Sequence, residues 1–195
     1  YQRNYISNCL NQAKEDDMVL ISDLDEIPNL ENVNLSNYNE KIIVFNQRMF
    51  FYKLNFGAKI SSWHGTRACQ KKFLKSPQWL RNLKTHKRYK FYRLDKLLFS
   101  NNYERNFKII NNGGWHFTWL GDLDFIKNKL KSFAHTELNN PIVNNDNYIK
   151  KCIDELKPIE IKQKIELNKL SINEINLPTY VVKNIDKYRS LLNID

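Results

Sequence analysis

The sequence is short of the residues that punctuate and staple a chain: five glycines, five prolines and three cysteines among 195 residues. Each shortage removes a class of answer. The cysteines Cys9, Cys69 and Cys152 are odd in number, far apart and without metal-ligand spacing, which argues against a disulfide scaffold and for thiols packed in a reduced interior. There is no glycine-rich phosphate loop, no internal repeat and no low-complexity linker marking a second domain. No apolar run approaches the roughly 20 residues that span a bilayer, and no signal peptide opens the sequence at Tyr1. Acid is scarce relative to base, 21 residues against 31, for a net charge of +10. That excess suits an anionic partner, be it a nucleotide diphosphate, an acidic glycan, a membrane surface or a nucleic acid. A hydrophobic share of 42% marks a globular chain, and the length predicts one domain.

What is present is organised around one stretch, Val19-Leu20-Ile21-Ser22-Asp23-Leu24-Asp25-Glu26-Ile27-Pro28. A β-branched run followed by three acids and a proline reads as a buried strand with a carboxylate tip. Pro28 stops the ladder, so Asp23 to Glu26 fall where the strand leaves its sheet. On extended backbone, residues two apart share a face, which predicts Asp23 beside Asp25, with Leu24 and Glu26 turned the other way. Two such carboxylates repel unless a cation sits between them. Hard oxygen ligands suit Mg²⁺ or Mn²⁺ held jointly with substrate phosphates. The alternative is a solvated strand-to-loop turn, since DxD alone is a short motif.

Around this stretch helices and strands alternate. Ile6, Cys9, Leu10 and Ala13 predict a helix over residues 3–14. Lys41 to Phe45 and Arg48 to Leu54 predict two strands joined by a hairpin near Asn46-Gln47, and Asn55 to Ser62 a loop. Ser76-Pro77 opens a short helix through Trp79, Leu80 and Leu83. Then comes the most basic segment, Arg81, Lys84, His86, Lys87, Arg88, Lys90, Arg93 and Lys96, interleaved with Tyr89, Phe91 and Tyr92. It reads either as a solvated face or as a surface for phosphate or nucleic acid. Asn111-Asn112-Gly113-Gly114 signals a turn before the aromatic strand Trp115 to Leu120, and Asp122 is a plausible N-cap for the helix carrying Leu123, Ile126, Leu130 and Phe133. A second helix over 147–156 stops before Pro158. Residues 1–157 thus read as a catalytic domain and 158–195 as a tail packed on it.

The motifs taken in order carry more than any one of them. Tyr1-Gln2-Arg3-Asn4, the acidic stretch from Ser22 to Pro28, Trp63-His64-Gly65-Thr66-Arg67, Ser76-Pro77-Gln78, Leu80-Arg81, Gly113-Gly114-Trp115-His116-Phe117 and the run from Lys129 to Glu137 follow one another with sensible gaps. Together they resemble glycosyltransferase family 17, from Tyr1 to about residue 140. The resemblance implies an α/β, GT-A-like nucleotide-sugar transferase fold with a mostly parallel mixed sheet flanked by helices. It implies inverting transfer of a sugar, N-acetylglucosamine as in a β-1,4-N-acetylglucosaminyltransferase, from a UDP-sugar donor to a glycan acceptor, with Mn²⁺ or Mg²⁺ as cofactor. Family members carry a further N-terminal portion whose first strands help hold the nucleotide, so half of the donor pocket is expected to lie before Tyr1.

On this reading Asp25, with Asp23 directly or through water, holds the ion. His116 and His135 are candidates for a further metal ligand or diphosphate contact, against the plainer role of packed histidines. Arg67, Arg81 and Arg88 suit a diphosphate through their guanidinium forks, with Asp23 and Trp115 completing the donor site. Trp63, Trp115 and Trp119 serve as sugar platforms or as core. Asp122, Asp124 and Glu137 are candidates for the base that takes the acceptor proton, with Asp122 also claimed by its helix. Two rival readings use the same residues: metal-dependent phosphoryl or nucleotidyl transfer at Asp23 and Asp25, and a non-enzymatic basic module on Arg81 to Arg93. Nucleic acid is the disfavoured partner.

Overall fold

The computed structural model describes residues 2–59, 62–85, 104, 106–132, 139–159 and 165–193. In chain order it forms helix α1 (Gln2–Tyr5), strands β1 (Met18–Ile21), β2 (Glu26–Pro28), β3 (Ile42–Phe51), β4 (Phe56–Ala58) and β5 (Trp63–Gln70), and helix α2 (Pro77–Asn82). There follow β6 (Phe107–Ile110), β7 (Gly114–Thr118), α3 (Leu123–Ser132), α4 (Asp146–Asp154), β8 (Leu167–Lys169) and α5 (Thr179–Lys183). The chain divides into two compact units, Tyr1–Asn46 with His64–Gly113, and Gln47–Trp63 with Gly114–Asp195.

In the first unit β5 lies between β1 and β3, antiparallel to β1, and β6 pairs parallel with the first half of β3. The period of two assigns each strand residue to a face. Val19, Ile21, Ile42, Val44 and Cys69 bury themselves with Leu80 and Leu83 of α2 and the residue after it, while Ile43, Phe45 and Ala68 pack on the opposite face with Leu20, Leu35 and Tyr38. Both faces are covered, so the strands read as nearly unbroken apolar runs. The short helix α2 starts where the sequence predicts: the Ser76 hydroxyl accepts from the Trp79 N–H at 3.1 Å, and Pro77 takes the first turn.

The second unit repeats this logic. β7 pairs parallel with the second half of β3, and β4 pairs antiparallel with β3 and with β8. Met49, Phe51, Phe56 and Ala58 face Ile126 and Leu130 of α3 and Ile149 and Cys152 of α4. Phe50, Trp115 and Phe117 face Leu170, Leu177 and Leu192. Residues 165–193 therefore supply a strand and a core layer of this unit. In both units the architecture is α/β with mixed pairing; the expectation of a mostly parallel sheet is met only in part, since three of the five registers described above are antiparallel.

Three local expectations are corrected. There is no hairpin at Asn46-Gln47: β3 runs straight through, and the interruption falls in its neighbour. Ile42 opposes Phe107 while Arg48 opposes Trp115, six steps on β3 against eight on the partner, so the surplus is looped out at Asn111 to Gly113. Gly113 is required there, because a Cβ would stand 2.7 Å from the Ile110 carbonyl oxygen and 3.0 Å from Phe45. The loop predicted over 55–62 contains β4. The helix predicted over 3–14 is only α1 continued by a 3-10 turn that ends at Leu10, in a segment whose asparagines are weak helix formers.

Two of the cysteines pack in the core as expected, Cys69 and Cys152, but Cys9 is exposed. Burial pushes the Cys69 thiol up to about 12, and burial is also the main cause raising Cys152. The thiolate is the reactive form, so a thiol reagent at pH 8 is expected to label native protein at Cys9 alone and all three sites only in denaturant. Labelling of Cys69 in the native state would contradict its placement. The folded value for Cys69 lies above the ordinary thiol value of 9.0, so the unfolded chain releases that proton first as pH rises. Its share of stability is whole below pH 9 and is lost towards pH 12, a loss that Cys69→Ala removes.

Candidate functional site

The acidic stretch lies wholly in the first unit. β1 ends at Ile21, and the chain then reverses: the Glu26 N–H donates to the Asp23 carbonyl at 3.1 Å, and the Asp23 N–H donates to Glu26 Oε2 at 3.2 Å. Leu24 and Asp25 form the tip, with Leu24 fully exposed and Asp25 half-buried. Asp23 to Asp25 do fall where β1 ends, but Glu26 to Pro28 form the further strand β2, so the expectation that Pro28 stops the ladder is not met. The backbone there is a turn, however, so the period of two no longer applies: Asp23 is brought to Glu26, which the extended reading turned away.

Arg81, from the last turn of α2, is what gathers these acids. One Nη2 serves both, at 2.8 Å from Asp23 Oδ2 and 2.5 Å from Glu26 Oε1, while Nη1 donates to the Gly65 carbonyl at 2.5 Å. Arg3, following α1's first residue, donates to Asp23 Oδ1 at 2.8 Å and Oδ2 at 3.1 Å. The exposures rank the pairs. The Arg81 and Glu26 side chains are 9% and 0% exposed, so theirs is a buried ion pair, whereas Arg3 and Asp23, at 37% and 32%, are partly screened by solvent. Next to Gly65 on β5, the Thr66 hydroxyl meets that of Ser22, the residue after β1, at 2.6 Å.

Arg67 lies beneath the same corner and serves α2. Its Nη1 donates to the Leu80 carbonyl at 2.9 Å and to the Arg81 carbonyl, capping the end of the helix where carbonyls lack partners. Its Nε is buried without a hydrogen-bond partner. Burial first, then the neighbouring Arg81 guanidinium, pull Arg67 down to about 10, with Glu26 acting the other way. It remains a cation at neutral pH.

The remaining candidates of the sequence fall in the second unit or outside the described residues. Trp115 is 5% exposed and its indole N–H donates to the Asn176 carbonyl at 2.7 Å, which is the bonding of a core tryptophan. Trp119 is likewise buried, at a positive φ of 57°. His116 is buried and stacked on half-buried Trp63, with centroids 4.6 Å apart and planes at 21°. Asp122 caps α3, its Oδ1 accepting from the Phe125 N–H at 2.8 Å, and Asp124 is exposed in that helix's first turn. Arg88, His135 and Glu137, with most of the basic segment, lie outside the described residues.

The site therefore unites Asp23, Arg81 and Arg67 of the predicted set, and adds Arg3 and Glu26. Reasoning on the strand period misses the last two. The signal for Glu26 was the Asp-x-x-Glu spacing, which lets each end of a turn satisfy the other, as in a capping box, whereas Arg3 reaches Asp23 from twenty positions away. Both oxygens of Asp23 accept from guanidiniums, Oδ1 from Arg3 and Oδ2 from Arg3 and Arg81. Among the described residues no three His, Cys, Asp or Glu side chains gather as a metal-holding group. Nor is any described helix long and apolar enough to cross a membrane.

No curated protein and no solved structure matches the chain. The sequence model that does match spans residues 1–194, so it takes in the tail as well as the motifs that end near residue 140, and it covers the acidic turn, the arginines that hold it and both units alike. The chain belongs to glycosyltransferase family 17.

Proposed function

We propose that this glycosyltransferase moves N-acetylglucosamine from a UDP-sugar to a hydroxyl of a glycan acceptor, with inversion and β-1,4 in type, on a GT-A-like fold. The observation that carries the reading is the family match over residues 1–194. The acidic turn supports it, since acids are presented between the end of β1 and the start of β2. We assign Asp25 to the Mn²⁺ or Mg²⁺ site, with the donor diphosphate supplying further oxygens, as suits ions commonly held by only one or two carboxylates. Such an ion offsets the charge developing on the departing UDP. Asp23 acts by position, its carboxylate spanning Arg3 and Arg81 and so tying the turn to α1 and α2. Of the candidates for the base that takes the acceptor proton, Asp122 has its carboxylate engaged as a helix cap.

Product analysis tests the reaction class. Free UDP appearing with a glycosylated acceptor is the expected outcome, and release of phosphate or pyrophosphate instead would replace transfer of a sugar by transfer of a phosphoryl or nucleotidyl group.

A further inference from the structure

The first unit also carries lysines laid over aromatic rings, on residues that take no part in the acidic turn. Lys41 Nζ lies 5.6 Å and Lys72 Nζ 5.4 Å from the centre of the Phe73 ring, and Lys75 Nζ lies 5.2 Å from that of Trp79. These five side chains line an open cleft of about 220 Å³ with Glu104 as its acid. A second cleft of about 480 Å³ shares Lys72 and Lys75 and adds Lys71 and Glu15. Two of the lysines have counter-charges: Lys71 sits 3.5 Å from Glu15 and Lys72 2.7 Å from Asp16. Lys41 and Lys75 are exposed, and among the described residues their ammonium groups meet aromatic rings and no carboxylate.

We propose that this strip binds an acidic oligosaccharide, with Lys41 and Lys75 meeting its anionic groups and the margins of Phe73 and Trp79 meeting sugar C–H faces. The choice of a sugar acid over a nucleic acid follows from the rings. Base stacking needs open aromatic faces, and here the Phe73 ring has two ammonium groups over it and the Trp79 ring one. A saccharide keeps those cations in place and uses them. The charge excess of +10 acts in the same direction, drawing an anion to the surface. The strip rests on the transferase reading only for the role of its ligand as acceptor; binding itself does not depend on that reading.

The test is titration of the full chain with trigalacturonate, with its uncharged methyl ester and with a sulfated heparin tetrasaccharide, repeated on Lys41→Gln and Lys75→Gln. Both side chains are exposed, so the fold is not at stake. At least one acidic saccharide should bind while the ester does not, and which of the two binds identifies the anion as carboxylate or sulfate. Each substitution should weaken binding by about two- to fivefold, as for an exposed charge pair. Equal binding of the ester, unchanged affinity in both variants, or tighter binding of a single-stranded oligonucleotide of equal charge overturns the proposal. UDP binding is measured on the same samples and should be unaffected by either substitution. A chain that binds the acidic saccharide but never UDP removes the donor site from these residues and leaves the strip standing.

Discussion

Replacing Arg81 with leucine is expected to lower the stability of the chain by about 3–5 kcal/mol, the usual cost of stranding one member of a buried ion pair. The Glu26 side chain has no exposure at all, and Arg81 is its charge partner at 2.5 Å. Removal of the guanidinium also strips a donor from Asp23 and from the Gly65 carbonyl. A urea titration followed by circular dichroism reads the loss. The control is Arg81→Leu with Glu26→Leu, which removes both charges and should recover much of the loss, because burying the pair costs desolvation that apolar side chains do not incur. If Arg81→Leu shifts the midpoint by less than about 1 kcal/mol, a surface-pair value, the pair is not buried in solution as it is here.

Asp25→Asn is expected to abolish metal-dependent UDP binding and to lower kcat/KM by on the order of a thousandfold, the rate equivalent of several kcal/mol of charge stabilisation at the leaving group. Calorimetric titration of UDP and UDP-N-acetylglucosamine, with Mn²⁺ and with chelator, is the direct measurement. Its companion is Asp23→Asn, which keeps the shape of the side chain but weakens the contacts with Arg3 and Arg81. The two variants should separate. Asp23→Asn should cost about 1–3 kcal/mol in stability, the range for hydrogen bonds to charged groups, while the bound protein retains its response to Mn²⁺. Asp25→Asn should lose that response. Unchanged, Mn²⁺-dependent UDP affinity in Asp25→Asn would remove the metal assignment, and loss of the Mn²⁺ response in Asp23→Asn would restore Asp23 as a ligand.

Much of this site was legible in one dimension. The acids after an apolar run told where β1 must end, although Pro28 falls inside β2, and a serine before Pro77 told where α2 must begin. Asp122 was recognisable both as a candidate base and as a helix cap, and the structure shows the cap. The failures share a cause. The hairpin at Asn46-Gln47 was inferred from polar residues in an apolar run, but in β3 those residues mark the place where the partner strand loops out, and a strand is interrupted only where its hydrogen bonds have nowhere to go. Trp115 looked like a platform because indoles suit sugars, and its depth and its bond to Asn176 come from a segment more than fifty residues further along.

By itself the sequence determined the alternation of elements, the apolar faces, the carboxylate tip and the family, because these depend on residue period, turn chemistry and the order of motifs. Tertiary structure alone decided which charges meet. Arg3, Asp23, Glu26 and Arg81 are brought together by the packing of α1, α2 and the turn, and no local pattern encodes a contact between residues 58 positions apart. That contact joins one acid of the DxD to two guanidiniums, a pairing that the strand period does not indicate.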